Sequence, residues 1–138
     1  MKINQLINQV IDLNIVKGVQ PNELTEAIFD DSYLSISMKK DALNNLCLEL
    51  SFLDDDNSIN TMRYKYNQNS VLFRIEQKIN KGHFIVQWDR KKMLLKLYSD
   101  IRKELLSNRV SKKSIDNFLL TLPKIKSYDQ KVILKLLA

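Results

Sequence analysis

The chain has 138 residues, of which 44% are apolar and 28% charged. This is the balance of a folded chain rather than a disordered one. That length fits a single domain, residues 1–138, with its own core. The longest apolar runs are a few residues, too short for a membrane span. Met1-Lys2-Ile3-Asn4-Gln5-Leu6 breaks its apolar residues with amides, so no signal-type apolar stretch follows the lysine. Cys47 is the only cysteine, which excludes an internal disulfide and a multi-cysteine zinc site. A cytoplasmic location is the expectation, and no low-complexity tract or long repeat is visible by inspection.

Glycine is confined to Gly18 and Gly82, and proline to Pro21 and Pro123. Phosphate-cradling loops need several glycines close together so that backbone amides can approach the anion. The chain offers no such loop, which argues against nucleotide-driven chemistry. The net charge of +6 is unevenly spread. Residues 1–60 hold four bases and ten acids, net −6; residues 61–138 hold eighteen bases and six acids, net +12. Such asymmetry suits an anionic partner for the second half, or attraction between the halves.

In chain order, residues 2–14 read as an amphipathic helix, with Ile3, Leu6, Ile7, Val10 and Ile11 at three- and four-residue steps. Gly18 stands past its end, where a left-handed stop is needed. Pro21 opens a second helix running to about Asp30, with Leu24, Ala27, Ile28 and Phe29 inward. Ser37 is a natural N-cap for a third helix, about Ser37 to Leu53, buried along Met38, Ala42, Leu43, Leu46, Cys47, Leu50 and Leu53. Asp54-Asp55-Asp56 with Asn57 reads as a solvated turn.

The period then changes to two. Met62, Tyr64 and Tyr66 alternate with Arg63 and Lys65; Val71, Phe73 and Ile75 alternate with Leu72, Arg74 and Glu76; Phe84, Val86 and Trp88 alternate with Ile85 and Gln87. These runs predict an antiparallel meander, aromatic and aliphatic on one face and basic and mixed on the other. A helix over the middle run, ended at Gly82, is the alternative. Asp89 caps a helix to about Ser107, with Leu94, Leu97, Tyr98, Ile101 and Leu105 inward. Ser111 or Ser114 starts another, with Ile115, Phe118, Leu119 and Leu122, stopped by Pro123. Ser127 or Asp129 opens a last short helix through Leu137. The fold class is α+β: an N-terminal three-helix segment, a small antiparallel meander or hairpin, and C-terminal helices.

Three helices followed by a hairpin also allow a winged-helix arrangement. Ser37–Leu53 would then be the recognition helix, Lys39, Lys40 and Asn44 the base readers, and residues 61–76 the wing. Against this stand the long connection from Phe29 to Ser37 and the negative charge of the helical half. The second candidate is a basic surface for sequence-independent phosphate contact, formed by Arg63, Lys65, Arg90, Lys91, Lys92, Lys96, Lys103, Lys112 and Lys113. Arg74 and Arg109 can extend it. The bland alternative is a wet helix face on which Asp89, Asp100 and Glu104 pair with these bases.

Catalytic constellations are not evident. His83, the only histidine, sits beside a hairpin turn, and Cys47 lies on an apolar stripe as a small hydrophobe. The acidic run at 54–56 lacks the glycine and terminal glutamate of a calcium loop. The expectation is a non-enzymatic nucleic-acid-binding accessory or regulatory protein that needs no cofactor or metal and contacts phosphates through its basic half. The alternative is a protein-binding module, such as an inhibitor, adaptor or assembly factor, whose oppositely charged halves engage an acidic protein partner or a second copy in a homodimer.

Overall fold

The computed structural model describes residues 2–122. The order of elements is α1 (Lys2–Ile15), α2 (Pro21–Thr25), a 3-10 turn (Glu26–Phe29), β1 (Tyr33–Lys40), β2 (Leu46–Leu53), β3 (Ile59–Tyr66), β4 (Leu72–Ile79), β5 (Ile85–Asp89), α3 (Arg90–Ser107) and α4 (Lys112–Thr121). The class is therefore α+β, with four helices and one antiparallel sheet, in the order β1-β2-β3-β4-β5, among the described residues. The chain falls into two units: a helical one, Met1–Val16 with Lys91–Ala138, and a sheet unit, Lys17–Arg90. The helix expected from Ser127 or Asp129, and the stop at Pro123, lie outside the described residues.

The helical unit follows its apolar spacing. Leu6 and Val10 of α1, Leu94, Leu97, Tyr98 and Ile101 of α3, Ile115 and Leu119 of α4, and Leu122 form one buried cluster. At roughly 1.5–3 kcal/mol for each large side chain removed from water, this cluster outweighs the intrinsic helix propensities of the segments. Ser111 caps α4 by accepting a hydrogen bond from the Ser114 amide (3.2 Å). Arg102 Nη1 donates to Asp116 Oδ1 at 2.6 Å, tying α3 to α4. Helix α3 ends in a left-handed residue, Arg109 (φ 64°), beyond which the Val110 amide donates back to the Leu105 carbonyl (3.1 Å). Glycine usually holds that position because it has no Cβ to clash with the carbonyl.

The expected N-terminal three-helix segment is corrected. It contains one long helix, the short α2 and the 3-10 turn; the residues read as a third helix, Ser37–Leu53, form the β1–β2 hairpin. Two signals compete there. Met38, Leu46 and Leu50 fit helical spacing, yet Leu46, Leu48, Leu50 and Phe52 also alternate, and Asp41-Ala42-Leu43-Asn44-Asn45 is turn chemistry. Asp41 Oδ1 accepts from the amides of Leu43 and Asn45 (both 2.9 Å), and Asn44 takes φ 63°. Short polar side chains tolerate that conformation and bond their own backbone. Leu43, expected inside, is 79% exposed at the tip. Without a helix there, the winged-helix arrangement and its recognition helix fall as well.

The next two turns repeat this chemistry. Asp54 and Asn67 open turns closed by Asp54 N–H to Ser58 O (2.9 Å) and Asn67 N–H to Val71 O (3.0 Å). Asn57 and Ser70 take the left-handed position, at φ 65° and 59°. Each is the three-residue hairpin loop in which a left-handed residue follows a tight turn. The strands accordingly begin at residues 33, 46, 59, 72 and 85, thirteen apart throughout. The run 54–56 is indeed turn, but it joins two strands rather than ending a helix.

Register places Leu48, Leu50, Met62, Tyr64, Tyr66 and Ile75 on one face and Glu49, Arg63, Lys65, Arg74 and Glu76 on the other, the division the alternation predicts. The ladders carry three irregularities, one between Tyr33 and Ser35 of β1 and two that alter this division. Lys65 pairs with Arg74 but Tyr66 with Leu72, so Leu72 takes the buried place expected for Phe73. Ile75 pairs with Trp88 but Glu76 with Val86, which puts Trp88 and Val86 on opposite faces. An extra residue in one strand shifts every later side chain by one face. Residues 17–20 lace onto the β3–β4 end. Leu72 N–H donates to Lys17 O (2.8 Å) and Tyr66 Oη to Val19 O (2.6 Å). Gly18 has φ +90°, and a Cβ on it would meet Leu72 Cβ at 2.9 Å.

Two substitutions test these backbone assignments. Gly18→Ala is expected to cost more than about 1 kcal/mol, because both the positive φ and the Leu72 contact forbid a Cβ. Arg109→Gly is expected to raise stability by roughly 0.5–1 kcal/mol by relieving the left-handed strain. Urea denaturation of both variants beside the parent chain checks the signs.

Candidate functional site

The nine basic residues proposed from sequence are divided between the two units. Arg63, Lys65 and Arg90 belong to the sheet unit; Lys91, Lys92, Lys96, Lys103, Lys112 and Lys113 belong to the helical unit. Their surroundings differ sharply.

On the charged sheet face, Arg63 and Lys65 already have partners. Arg63 Nε donates to Glu76 Oε1 at 2.6 Å, and its Nη1 lies 3.6 Å from Glu49 Oε1. Lys65 Nζ and Arg74 Nε stand 3.9 and 3.3 Å from the same Glu76 carboxylate. Glu76 is 5% exposed. The Phe84 ring covers this cluster, with the Arg63 guanidinium carbon 3.7 Å and Lys78 Nζ 4.9 Å from its centroid. In the sequence, Glu76 is one polar residue in an alternating strand. Its pairing with Arg63 across β3–β4 and the shared Lys65 and Arg74 contacts emerge only from register. Arg90 is 2% exposed; its Nε donates to the Leu72 carbonyl at 2.7 Å, and its guanidinium lies 5.1 Å from the Trp88 ring. Arg63, Lys65 and Arg90 therefore hold the sheet unit together, and their cationic groups are committed within it.

The helical unit is different. Lys92, Lys96 and Lys103 recur on one line of α3, opposite Leu94, Leu97 and Ile101. The line is about 16 Å long at 1.5 Å per residue. All three are exposed, as are Lys91, Lys112 and Lys113. Among the described residues, Lys96 and Lys103 form no ion pair, although Asp100 and Glu104 lie within a turn of them. Among the described residues, Asp116 pairs with Arg102. Lys112 and Lys113 occupy the first turn of α4, where the helix dipole disfavours cations and favours an approaching anion. The described part of this unit has nine bases and four acids, net +5, against nine and eleven, net −2, in the sheet unit.

Other features offer less. An open depression of about 380 Å³ at one end of the sheet is lined by Lys40, Asn44, Leu46, Tyr66 and the Asn67–Ser70 turn. It holds one cation and neutral amides, and the Tyr66 hydroxyl is taken by Val19. Lys39, Lys40 and Asn44 sit at the end of β1 and in its turn. Cys47 is buried on the sheet and His83 is exposed after the β4–β5 turn. No group of three or more His, Cys, Asp or Glu among the described residues is placed to hold a metal ion. No described helix is long and apolar enough to cross a membrane. Comparison with protein-family models, with curated proteins and with solved structures finds no match for this chain.

The Glu76 cluster has a pH signature. Burial by itself raises the carboxyl, but the Arg63 hydrogen bond and the charges of Arg63, Lys65 and Arg74 together hold it below the ordinary 4.5. A depressed acid contributes stability in full above its unfolded value and loses it as pH falls through its folded value. Glu76→Gln is thus expected to destabilise the chain by about 1–3 kcal/mol at pH 7. The difference from the parent should shrink in denaturant titrations below pH 4.5; an equal difference at both pH values would exclude the cluster as its source.

Proposed function

We propose that the protein is a non-enzymatic nucleic-acid-binding accessory factor that docks on phosphates through the helical unit. The observation that carries this reading is the line of Lys92, Lys96 and Lys103 on α3, where Lys96 and Lys103 have no acidic partner among the described residues. Exposed lysines on a rigid helix, reinforced by Lys91, Lys112 and Lys113, suit contact with a regularly spaced anionic backbone. Each would neutralise a phosphate and release its counterion, giving sequence-independent affinity that steers and orients more than it specifies. Arg63, Lys65 and Arg90 take no part, because their cationic groups are engaged within the sheet unit.

Fluorescence anisotropy with duplex DNA, single-stranded DNA and RNA, each titrated across salt, tests the reading. Lys96→Glu/Lys103→Glu is expected to weaken binding and to reduce the log–log salt slope on duplex DNA by about 1.8, or about 0.9 per lost phosphate contact. Arg63→Gln should leave the slope unchanged. An absence of binding to all three nucleic acids at low salt would overturn the proposal.

A further inference from the structure

We propose, resting on phosphate contact by the helical unit, that its partner is a duplex held by both strands: Lys92, Lys96 and Lys103 engage one backbone, and Lys112 and Lys113 the other. Helices α3 and α4 follow one another in the chain and pack together through Ile101, Ile115 and Leu119. Arg102 Nη1, donating to Asp116 Oδ1 at 2.6 Å, ties the pair. Its exposed cations therefore form two rows, one on each helix. Lys96, Lys103, Lys112 and Lys113 make no ion pair among the described residues. The axes of packed helices stand about 8–10 Å apart. That spacing lies between the widths of the two grooves of a duplex, about 6 and about 12 Å. Each row can thus reach a different phosphate strand, whereas a single strand offers one line of phosphates.

The charges around α3 decide on which side the second strand lies. At about 100° per residue, Lys92, Lys96 and Lys103 fall within about 40° of one another. Asp100 and Glu104 stand about 80–120° round the helix on one flank, and Arg102 about 80° round on the other. Because Arg102 bonds Asp116, its flank is the one that carries α4. Phosphates are repelled on the side of Asp100 and Glu104 and attracted by Lys112 and Lys113 on the side of α4. Shape and stacking favour the same partner. The lysine line faces away from the buried cluster, on the convex side of α3, whereas single strands are held in grooves with their bases stacked on aromatic rings. The described aromatics of this unit are Tyr98, 1% exposed, and Phe118, packed against the cluster. Neither presents a base with an open ring face.

The test is fluorescence anisotropy of the full chain with a duplex of about 16 base pairs and with an oligothymidylate of the same length, each titrated across salt. At equal salt the single strand should bind at least about tenfold more weakly than the duplex. Lys112→Gln/Lys113→Gln should lower the log–log salt slope on the duplex by about 1.8 and leave the slope on the single strand unchanged. Both positions are exposed, so the variant should keep the parent circular dichroism spectrum. The ratio of the two affinities, measured on the parent chain, does not depend on any variant. A single strand bound as tightly as the duplex would overturn the two-strand assignment and leave phosphate contact by α3 in place. So would a duplex slope that the variant does not change, or an equal fall on both probes. A parent chain that binds neither probe at low salt would remove phosphate contact itself, and the duplex with it.

Discussion

At two corners of the sheet, one side-chain oxygen holds two backbone amides. Asp41 Oδ1 takes those of Leu43 and Asn45, and Asn67 Oδ1 those of Asn69 and Val71. These short bonds fix where one strand stops and the next begins. A hairpin's register is set by its turn, and a slip of one residue would exchange the two faces. The burial of Leu48, Leu50 and Tyr66 and the meeting of Arg63 with Glu76 both depend on that register. The cluster has to assemble on one face because Glu76 can be buried as an ion only with its bases in place.

The two units dispose of their charge in opposite ways. The sheet unit is close to neutral and neutralises its charged face internally, so that much of its basic character is structural. The helical unit leaves lysines on the side of α3 away from its core and uses Asp116 for a structural tie to Arg102. Net charge alone does not separate these cases, since Arg63 and Lys96 count equally in a sum. What separates them is whether a carboxylate lies within reach. That criterion narrows the phosphate-contact proposal to the helical unit.

The helices were legible in the sequence wherever the apolar period was long enough to be unambiguous. Leu94, Leu97, Tyr98 and Ile101, or Leu6 and Val10, cannot be read any other way, and all are buried in one cluster. Ser37–Leu53 is ambiguous in sequence because leucine spacing there satisfies both periods, and Ser37 reads as a helix cap while Asp41 and Asn44 carry turn chemistry. The turn residues at 41, 54 and 67, with left-handed partners at 44, 57 and 70, carry a thirteen-residue spacing that composition hides. Bulges were beyond reach, because a single extra residue is a three-dimensional event with no compositional mark. The Glu76 cluster was invisible for the same reason: its members lie on three strands and meet only through register.

The thirteen-residue spacing bears on how such a sheet can change in length. Ile36 and Glu49 hold the same place in consecutive strands, yet Ile36 lies opposite Leu50 and so on the other face from Glu49. Gain or loss of one strand-and-turn unit would reverse the direction in which the chain leaves the sheet, while the faces follow the bulges: Met62 and Ile75 hold the same place in β3 and β4 and share a face. Two units together would preserve that direction. A change of two strands therefore keeps the exit direction that a change of one reverses.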